Sequence, residues 1–137
     1  MASPQTNRYR NKTVLITGAA GFIGSHLVEE ILGREAKVRA LYRYNSSNNI
    51  GWLSEIEGVE SLELFRGDLT DAEICNELVA DVDYIFNLAA LIGIPYSYIA
   101  PASYVSTNIG GVLNLANAWR RFSSSAVFIQ MSTSEVY

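Results

Sequence analysis

The sequence predicts an α/β fold, a parallel and doubly wound sheet with helices on both faces, from three observations. A short apolar run, Val14–Ile16, leads directly into a glycine-rich turn and then into an amphipathic helix. Five strand patterns alternate with helical patterns along the chain, which favours parallel pairing and right-handed crossovers. The 137 residues, 49% of them hydrophobic, suffice for one domain with its own core. We therefore expect a Rossmann-type sheet with strand order 3-2-1-4-5, truncated after strand 5.

The first half of the chain shows three strand patterns. A polar leader, residues 1–11, precedes strand 1, and helix 1 follows the glycine turn and is expected to stop at Gly33. Alternating polar and apolar side chains predict strands 2 and 3. The predicted elements are strand 1 at Thr13–Thr17, helix 1 at Phe22–Gly33, strand 2 at Lys37–Arg43, a short helix at about Gly51–Ile56 and strand 3 at Ser61–Arg66.

The second half begins with a helix that Asp71 can cap. The next strand pattern is apolar on both alternating faces, so we expect a central strand covered by helices on both sides. A loop with Gly93 and Pro95 then leads to Pro101, which suits a first helical turn. The predicted elements are helix 3 at Ala72–Val79, strand 4 at Asp83–Ala90, the loop at Leu91–Ala100, one long helix at Pro101–Phe122 and strand 5 at Ala126–Met131.

The glycine turn Thr17–Gly24 carries the first chemistry. Gly18 can take the dihedrals of a tight turn, Gly21 lets a pyrophosphate approach the backbone, and Gly24 lets helix and strand pack closely. The free amides and positive end of the following helix would face the phosphates. We interpret the turn as a dinucleotide site; a plain strand-to-helix turn is the alternative.

Composition excludes several other classes. A net charge of -4 and a pI near 4.9 supply no basic face for nucleic acid. No apolar run approaches the length of a membrane span, and the leader lacks the apolar core of a secretory signal, so we expect a cytoplasmic protein. Cys75 is the only cysteine, which excludes an intrachain disulfide and a cysteine metal cage, and we expect it to be a buried structural thiol. No metal is predicted.

Five motifs along the chain, the glycine turn among them, resemble those of the extended short-chain dehydrogenase/reductase family. The resemblance covers Lys12–Tyr137 and rests on five ordered motifs: Thr17–Gly24, Gly67–Asp71, Asn87–Ala90, Thr107–Asn108 and Met131–Tyr137. The segments Leu41–Ser46 and Ala89–Tyr98 are similar to nucleotide-sugar 4,6-dehydratases of the legionaminic-acid pathway or GDP-mannose dehydratase type. This resemblance implies transient oxidation of the sugar C4 by bound nicotinamide, loss of water across C5 and C6, and return of the hydride to C6.

The resemblance assigns roles to three groups of residues. Thr133 matches the hydroxyl that contacts the reacting oxygen, Glu135 the C5 base, and Ser134 stands where some dehydratases carry an aspartate acid; a turn or helix-cap cluster is the alternative. Tyr96, Ser97 and Tyr98 would line the sugar side, or the loop would simply hold the long helix in place. The implied cofactor residues are Gly18, Ala20, Gly21, Phe22, Ile23, Gly24, Asp68, Leu69, Leu88, Ala89, Ala90, Asn108 and Ser132.

Two of these cofactor assignments also have structural alternatives. Asp68 would accept a hydrogen bond from the adenine amino group, or would only cap its loop. Leu88–Ala90 would flank the nicotinamide half, a role compatible with being strand core.

The end of strand 2 bears on which cofactor binds. An NAD-specific site places an acidic residue on the ribose about 20 residues past the glycine motif. Here strand 2 ends at Arg43, followed by Tyr44, Ser46 and Ser47. We therefore expect NADP(H) in preference to NAD(H). A surface arginine is the alternative interpretation and NAD the alternative cofactor, since the resembled pathway enzymes are usually NAD-dependent.

The chain departs from the family at one point. The family's Tyr and its Lys four residues later have no counterpart, because the only lysines are Lys12 and Lys37, and Tyr137 matches the end of the strand 5 motif instead. We therefore expect an N-terminal part of a longer, homodimeric enzyme that pairs through the long helix. A nucleotide-sugar 4-epimerase or decarboxylase, or a non-catalytic NAD(P)-binding module, is the alternative.

Overall fold

The computed structural model of the chain describes residues 7–47 and 49–136. Its strands form one five-stranded parallel sheet in the order β3-β2-β1-β4-β5, which confirms the predicted fold class and topology. The strands are β1 at Thr13–Thr17, β2 at Lys37–Tyr42, β3 at Glu63–Arg66, β4 at Tyr84–Asn87 and β5 at Val127–Gln130.

Helical segments connect these strands. The α-helices are α1 at Phe22–Gly33, α2 at Ala72–Leu78, α3 at Ile94–Ile99, α4 at Pro101–Tyr104 and α5 at Val112–Phe122. A π-helical segment, Val105–Gly111, joins α4 to α5, and short 3-10 helices lie at Gly51–Glu55, Val59–Ser61 and Ser134–Val136. Asp71 caps α2 as predicted, its carboxylate accepting from the amides of Glu73 and Ile74.

Apolar residues fill both faces of the sheet, because successive side chains of a strand point to opposite faces. On one face Leu15 and Ile85 pack with α2 and α5. On the other, Val14 and Ile16 pack with α1 and the 3-10 helix that contains Leu53. The sheet is therefore covered on both sides, as a doubly wound fold requires.

Several predicted boundaries were wrong. Strand 4 was predicted to run to Ala90, but β4 ends at Asn87, because its neighbour β1 ends at Thr17 and offers no further backbone partner. Strand 3 was predicted from Ser61, but Gly58 turns with φ +84° and Val59–Ser61 forms a 3-10 helix. Strand 2 ends one residue earlier than predicted, at Tyr42. Strand 5 is one residue shorter than predicted at each end. Helix 1, in contrast, ends at Gly33 as predicted, and Glu35 two residues later has φ 60°.

The region from Leu91 to Phe122 differs most from the prediction. The expected loop contains α3, and the expected single helix changes to π geometry between α4 and α5. The segment includes Gly110 and Gly111, and glycine is a weak helix former. An added Cβ on Gly111 would lie 2.9 Å from the Leu69 Cβ, so the helix approaches the β3 connection closely there.

The base of the sheet is closed by a charged contact at Asp83. Its carboxylate accepts from Lys12 Nζ and from the Thr13 amide, both at 2.9 Å. Residues 7–11 of the predicted leader also dock here, with the Tyr9 ring 5.0 Å from the Tyr84 ring; residues 1–6 lie outside the described part. The hydrogen bond from Lys12 lowers the pKa of Asp83, and the same bond raises the pKa of Lys12.

The Asp83 contact gives a pH-dependent contribution to stability. A carboxyl whose folded pKa is lowered stabilises the fold above its ordinary value, 3.8, and loses that contribution as pH falls through the folded pKa. We expect Asp83→Asn to be less stable than wild type at pH 7, with a difference that shrinks below about pH 4. Urea unfolding between pH 2.5 and 7 measures the difference in free energy of unfolding between wild type and Asp83→Asn. Asp81→Asn is the matched control, and a difference for Asp83→Asn that is independent of pH would contradict the assignment.

Candidate functional site

The glycine turn lies where β1 ends, against the segment that follows β4. Gly18 has φ +66°, a conformation that residues with a Cβ rarely adopt, and an added Cβ would lie 2.9 Å from the Ala89 amide nitrogen. Gly18 thus serves both as the turn residue and as the contact between two loops. The predicted turn role of Gly18 is confirmed by this geometry.

The other two glycines differ in what surrounds them. A Cβ on Gly24 would lie 2.2 Å from the Gly18 carbonyl oxygen, so α1 can rest on the turn only if residue 24 is glycine. A Cβ on Gly21 would meet only that same oxygen, at 3.3 Å. Phe22 and Ile23 are 62% and 63% exposed, and the first turn of α1 contains no acidic residue. No acidic side chain therefore competes with an anion for the free amides of this first turn.

A segment after β2 folds over the turn, a feature that sequence reasoning missed. The Trp52 amide donates to the Ala20 carbonyl at 3.2 Å, and the Trp52 ring contacts the Phe22 ring edge-on at 5.9 Å between centroids. Gly51 has φ +61°, and its added Cβ would lie 2.6 Å from the Ala20 oxygen. Ala20 and Trp52 are 32 positions apart in the chain, and no local pattern indicates their contact.

A network of hydrogen bonds, buried at Thr17 and Asn87, links the ends of β1, β4 and β5. The three residues Thr17, Asn87 and Gln130 lie in register. The Thr17 hydroxyl donates to Asn87 Oδ1 at 2.5 Å and accepts from the amides of Leu88 and Ala89 at 3.1 Å, while Asn87 Nδ2 donates to Gln130 Oε1 at 2.8 Å.

These hydrogen bonds fix the Leu88–Ala89 backbone beside the glycine turn. Leu88 and Ala89 are partly buried and Ala90 is exposed. Sequence reasoning placed Asn87 in a family motif but gave it no role, although an amide inside an apolar strand must find partners, and that was the available signal.

The ends of β2 and β3 bring two predicted cofactor residues together. Arg43 Nε lies 3.2 Å from Asp68 Oδ2. Asp68 Oδ1 accepts from the Thr70 amide at 3.0 Å and from the Thr70 hydroxyl at 2.9 Å, so the carboxylate also orders its own loop. Leu69 is 3% exposed, with its side chain in the core. Of the two serine hydroxyls predicted near Arg43, that of Ser47 donates a hydrogen bond to Asn45 Oδ1.

The predicted catalytic segment follows β5, which pairs with β4. Ser132, Thr133, Ser134 and Glu135 are all exposed. The Glu135 amide donates to the Thr133 hydroxyl oxygen at 3.2 Å, and the Met131 amide donates to the Asn87 carbonyl at 3.0 Å. The segment therefore leaves the sheet beside Leu88–Ala90. The Tyr137 prediction lies outside the described residues.

Asn108 and the predicted sugar-side residues lie on the helices after β4. Asn108 donates to the Leu91 carbonyl at 2.9 Å and accepts from the Leu91 amide at 2.8 Å, so its side chain clamps the segment after β4. Tyr96 and Tyr98 are 51% and 84% exposed on α3. Ser97 donates to the Ile94 carbonyl at 2.6 Å, within the same helix.

Other parts of the described chain carry no comparable chemistry. Cys75 is fully buried as predicted, and burial raises the pKa of its thiol to about 11, so it stays protonated at neutral pH. Among residues 7–47 and 49–136, no three His, Cys, Asp or Glu side chains come together to hold a metal ion. None of the helices in this part is both long and apolar enough to cross a membrane.

The arrangement fits a dinucleotide. An open glycine turn and helix amides suit a pyrophosphate, and the carboxylate and arginine at the neighbouring strand ends suit an adenosine. The sheet order and this site define a Rossmann-type domain of the extended short-chain dehydrogenase/reductase class. The chain belongs to the GDP-mannose 4,6 dehydratase family, whose sequence model matches residues 15–137.

Individual relatives have different activities. A dTDP-glucose 4,6-dehydratase from Streptomyces antibioticus is 33% identical over 90% of this chain and 38% of its own length. UDP-glucuronate 4-epimerase 4 from Arabidopsis thaliana is 30% identical over 97% of this chain and 32% of its own. The structure of MoeE5 in complex with UDP-glucuronic acid and NAD aligns with TM-score 0.72 and 31% identity, over 91% of this chain and 38% of that one. The chain thus spans about a third of the length of these relatives.

Proposed function

We propose that this chain binds a nicotinamide dinucleotide and forms the cofactor-binding part of a nucleotide-sugar 4,6-dehydratase. The observation that carries the proposal is the contact of Gly18, at φ +66°, with the Ala89 amide. Through this contact the glycine turn, proposed to bind the pyrophosphate, lies beside the segment proposed to flank the nicotinamide. Ala20, Gly21, Phe22, Ile23 and Gly24 would surround the pyrophosphate, and Asp68 would accept from the adenine amino group.

The exposed segment after β5 supports the proposed chemistry. The Glu135 amide fills an acceptor position of the Thr133 hydroxyl, which leaves the hydroxyl proton available to a substrate oxygen such as that on C4. The Glu135 carboxylate is exposed and could take the C5 proton, with Ser134 between them. The bound nicotinamide would supply hydride acceptance from C4 and return to C6. Ser132 and Asn108 would support the cofactor side, Asn108 through its clamp on Leu91.

Two alternatives stay open. Relatives named as 4-epimerases and decarboxylases are as similar to this chain as the dehydratases, so the same cofactor half would serve those reactions. A non-catalytic NAD(P)-binding module is the alternative of another class. Glu135 favours the dehydratase over the epimerase, because elimination across C5 and C6 requires a base near C5; it does not separate the dehydratase from the decarboxylase. Tyr96, Ser97 and Tyr98 are proposed to contact the sugar, since α3 presents both tyrosine rings to solvent.

The cofactor is proposed to be NADP(H). Arg43 is 68% exposed at the end of β2, and its contact with Asp68 is a surface ion pair that a 2′-phosphate can outcompete. We expect titration calorimetry to show NADP⁺ binding more tightly than NAD⁺. Arg43→Ala should weaken NADP⁺ by roughly tenfold or more, the loss of one charge-assisted contact, and leave NAD⁺ almost unchanged. Equal losses for both cofactors would contradict the NADP preference.

Homodimerisation through the long helical region is a further part of the proposal. The apolar side chains of this region are only partly used by the core, since Val105, Ile109 and Leu113 are 58%, 64% and 58% exposed and follow one another by one helical turn. We expect Ile109→Asp to weaken self-association at least tenfold, because it places a charge in an apolar contact. Light scattering across micromolar concentrations measures this, with exposed Asn117→Asp as the control. A wild-type chain that stays monomeric throughout would refute the proposal.

A further inference from the structure

The ion pair at the ends of β2 and β3 joins two positions that were assigned separate tasks. Arg43 is the first residue after β2 and Asp68 the second after β3, and the register pairs Tyr42 with Arg66. Both side chains therefore leave the same corner of the sheet. The 3.2 Å separation of Arg43 Nε and Asp68 Oδ2 makes the carboxylate the immediate neighbour of the cation.

The Asp68 carboxylate is held in place on its other side. Thr70 donates two hydrogen bonds to Oδ1, at 3.0 and 2.9 Å, and the Asp68 side chain is only 31% exposed. Its orientation towards Arg43 is thus set by the loop and not by Arg43 alone. A rotation away from an incoming anion would break both contacts with Thr70.

The charges of Arg43 and Asp68 would interact differently with NADP(H) and with NAD(H). Arg43 carries one positive charge, which Asp68 already balances. A 2′-hydroxyl adds no charge and leaves the pair intact, whereas a 2′-phosphate brings about two negative charges to a site whose cation is already shared. Adenine and pyrophosphate are common to both cofactors, so their contacts with Asp68 and the glycine turn cancel in a comparison of the two.

We infer that Asp68 is a specificity-determining residue that limits acceptance of the 2′-phosphate by competing for Arg43. This inference rests on the proposed dinucleotide-binding function and deepens it. Arg43 attracts the phosphate, and the carboxylate fixed by Thr70 sets how strongly the phosphorylated cofactor is preferred. The preference is thus a property of the pair, and removal of the carboxylate increases it.

The test is a double-mutant cycle on the ratio of the two dissociation constants. Titration calorimetry with NADP⁺ and NAD⁺ is carried out on wild type, Asp68→Asn, Arg43→Ala and the double variant, with Glu73→Gln as a control for the same change in net charge. Asp68→Asn should shift the ratio about 3- to 10-fold towards NADP⁺, the size of one partly screened charge contact. Glu73→Gln should leave the ratio within about twofold. The shift should disappear in the Arg43→Ala background.

The outcomes separate this inference from the function on which it rests. The inference would be overturned if Asp68→Asn left the ratio of the two dissociation constants unchanged. It would also be overturned if Asp68→Asn shifted that ratio as much in the Arg43→Ala background as in wild type. In either case, dinucleotide binding by wild type would still support the proposed function. Failure of wild type to bind either dinucleotide would overturn both. Circular dichroism melting of each variant verifies that the measured chains are folded.

Discussion

Gly24→Ala is expected to destabilise the chain by about 1–3 kcal/mol and to weaken dinucleotide binding by about hundredfold. The added Cβ would lie 2.2 Å from the Gly18 carbonyl oxygen and 2.9 Å from the Ala19 Cα. These are backbone atoms, which cannot rotate away as a flexible side chain can, so α1 must lift from the turn. The displaced helix would move its first-turn amides away from the phosphate position.

The matched control lies in the same helix. Gly33→Ala introduces the same methyl group where no heavy atom lies within 4 Å, and glycine within a helix is less favourable than alanine by roughly 0.5–1 kcal/mol. Gly33→Ala should therefore preserve binding and slightly raise the midpoint of thermal unfolding. Urea unfolding and calorimetric titration measure both variants. If Gly24→Ala bound NADP⁺ as tightly as Gly33→Ala, the proposed role of the turn would be wrong.

The 137 residues assayed by themselves are expected to bind dinucleotide without measurable turnover. No Tyr-x-x-x-Lys pair occurs in the sequence, and loss of a positioned acid or base costs about 10²–10⁴-fold in rate. The chain also spans about a third of its relatives' length. If the sugar-orienting residues lie in the remaining two thirds, the lost positioning accounts for roughly 7–11 kcal/mol of barrier.

The assay incubates the purified chain with NADP⁺ or NAD⁺ and with UDP-, GDP- and dTDP-linked sugars, and detects 4-keto products. Binding of the dinucleotide in the same samples is measured in parallel, so that a silent assay is not confused with an unfolded chain. Turnover comparable to that of a full-length dehydratase would contradict the expected loss of activity without a Tyr-x-x-x-Lys pair.

Some conclusions from sequence depended on family resemblance and some on residue pattern alone. The residue pattern alone placed α1 at its observed bounds, because helical spacing of apolar residues lies between a clear glycine turn and the stop at Gly33. The pattern failed in the long helix, where it predicted one continuous helix at Pro101–Phe122. The region contains a π segment instead, and along it Ile109 and Leu113 are exposed while Gly111 and Leu115 are buried. A change in helical period leaves no mark in composition.

The sequence by itself determined the order of strands and helices, the sheet topology and the position of the glycine turn, because hydrophobic period and glycine dihedrals are local properties. It also named Arg43 and Asp68, but not their contact. Only the tertiary structure decided that those two form an ion pair, that Asn87 bridges Thr17 to Gln130, and that the Trp52 amide donates to the Ala20 carbonyl of the turn. Each joins residues distant along the chain, and such contacts depend on strand register and loop path, which no short stretch of sequence encodes.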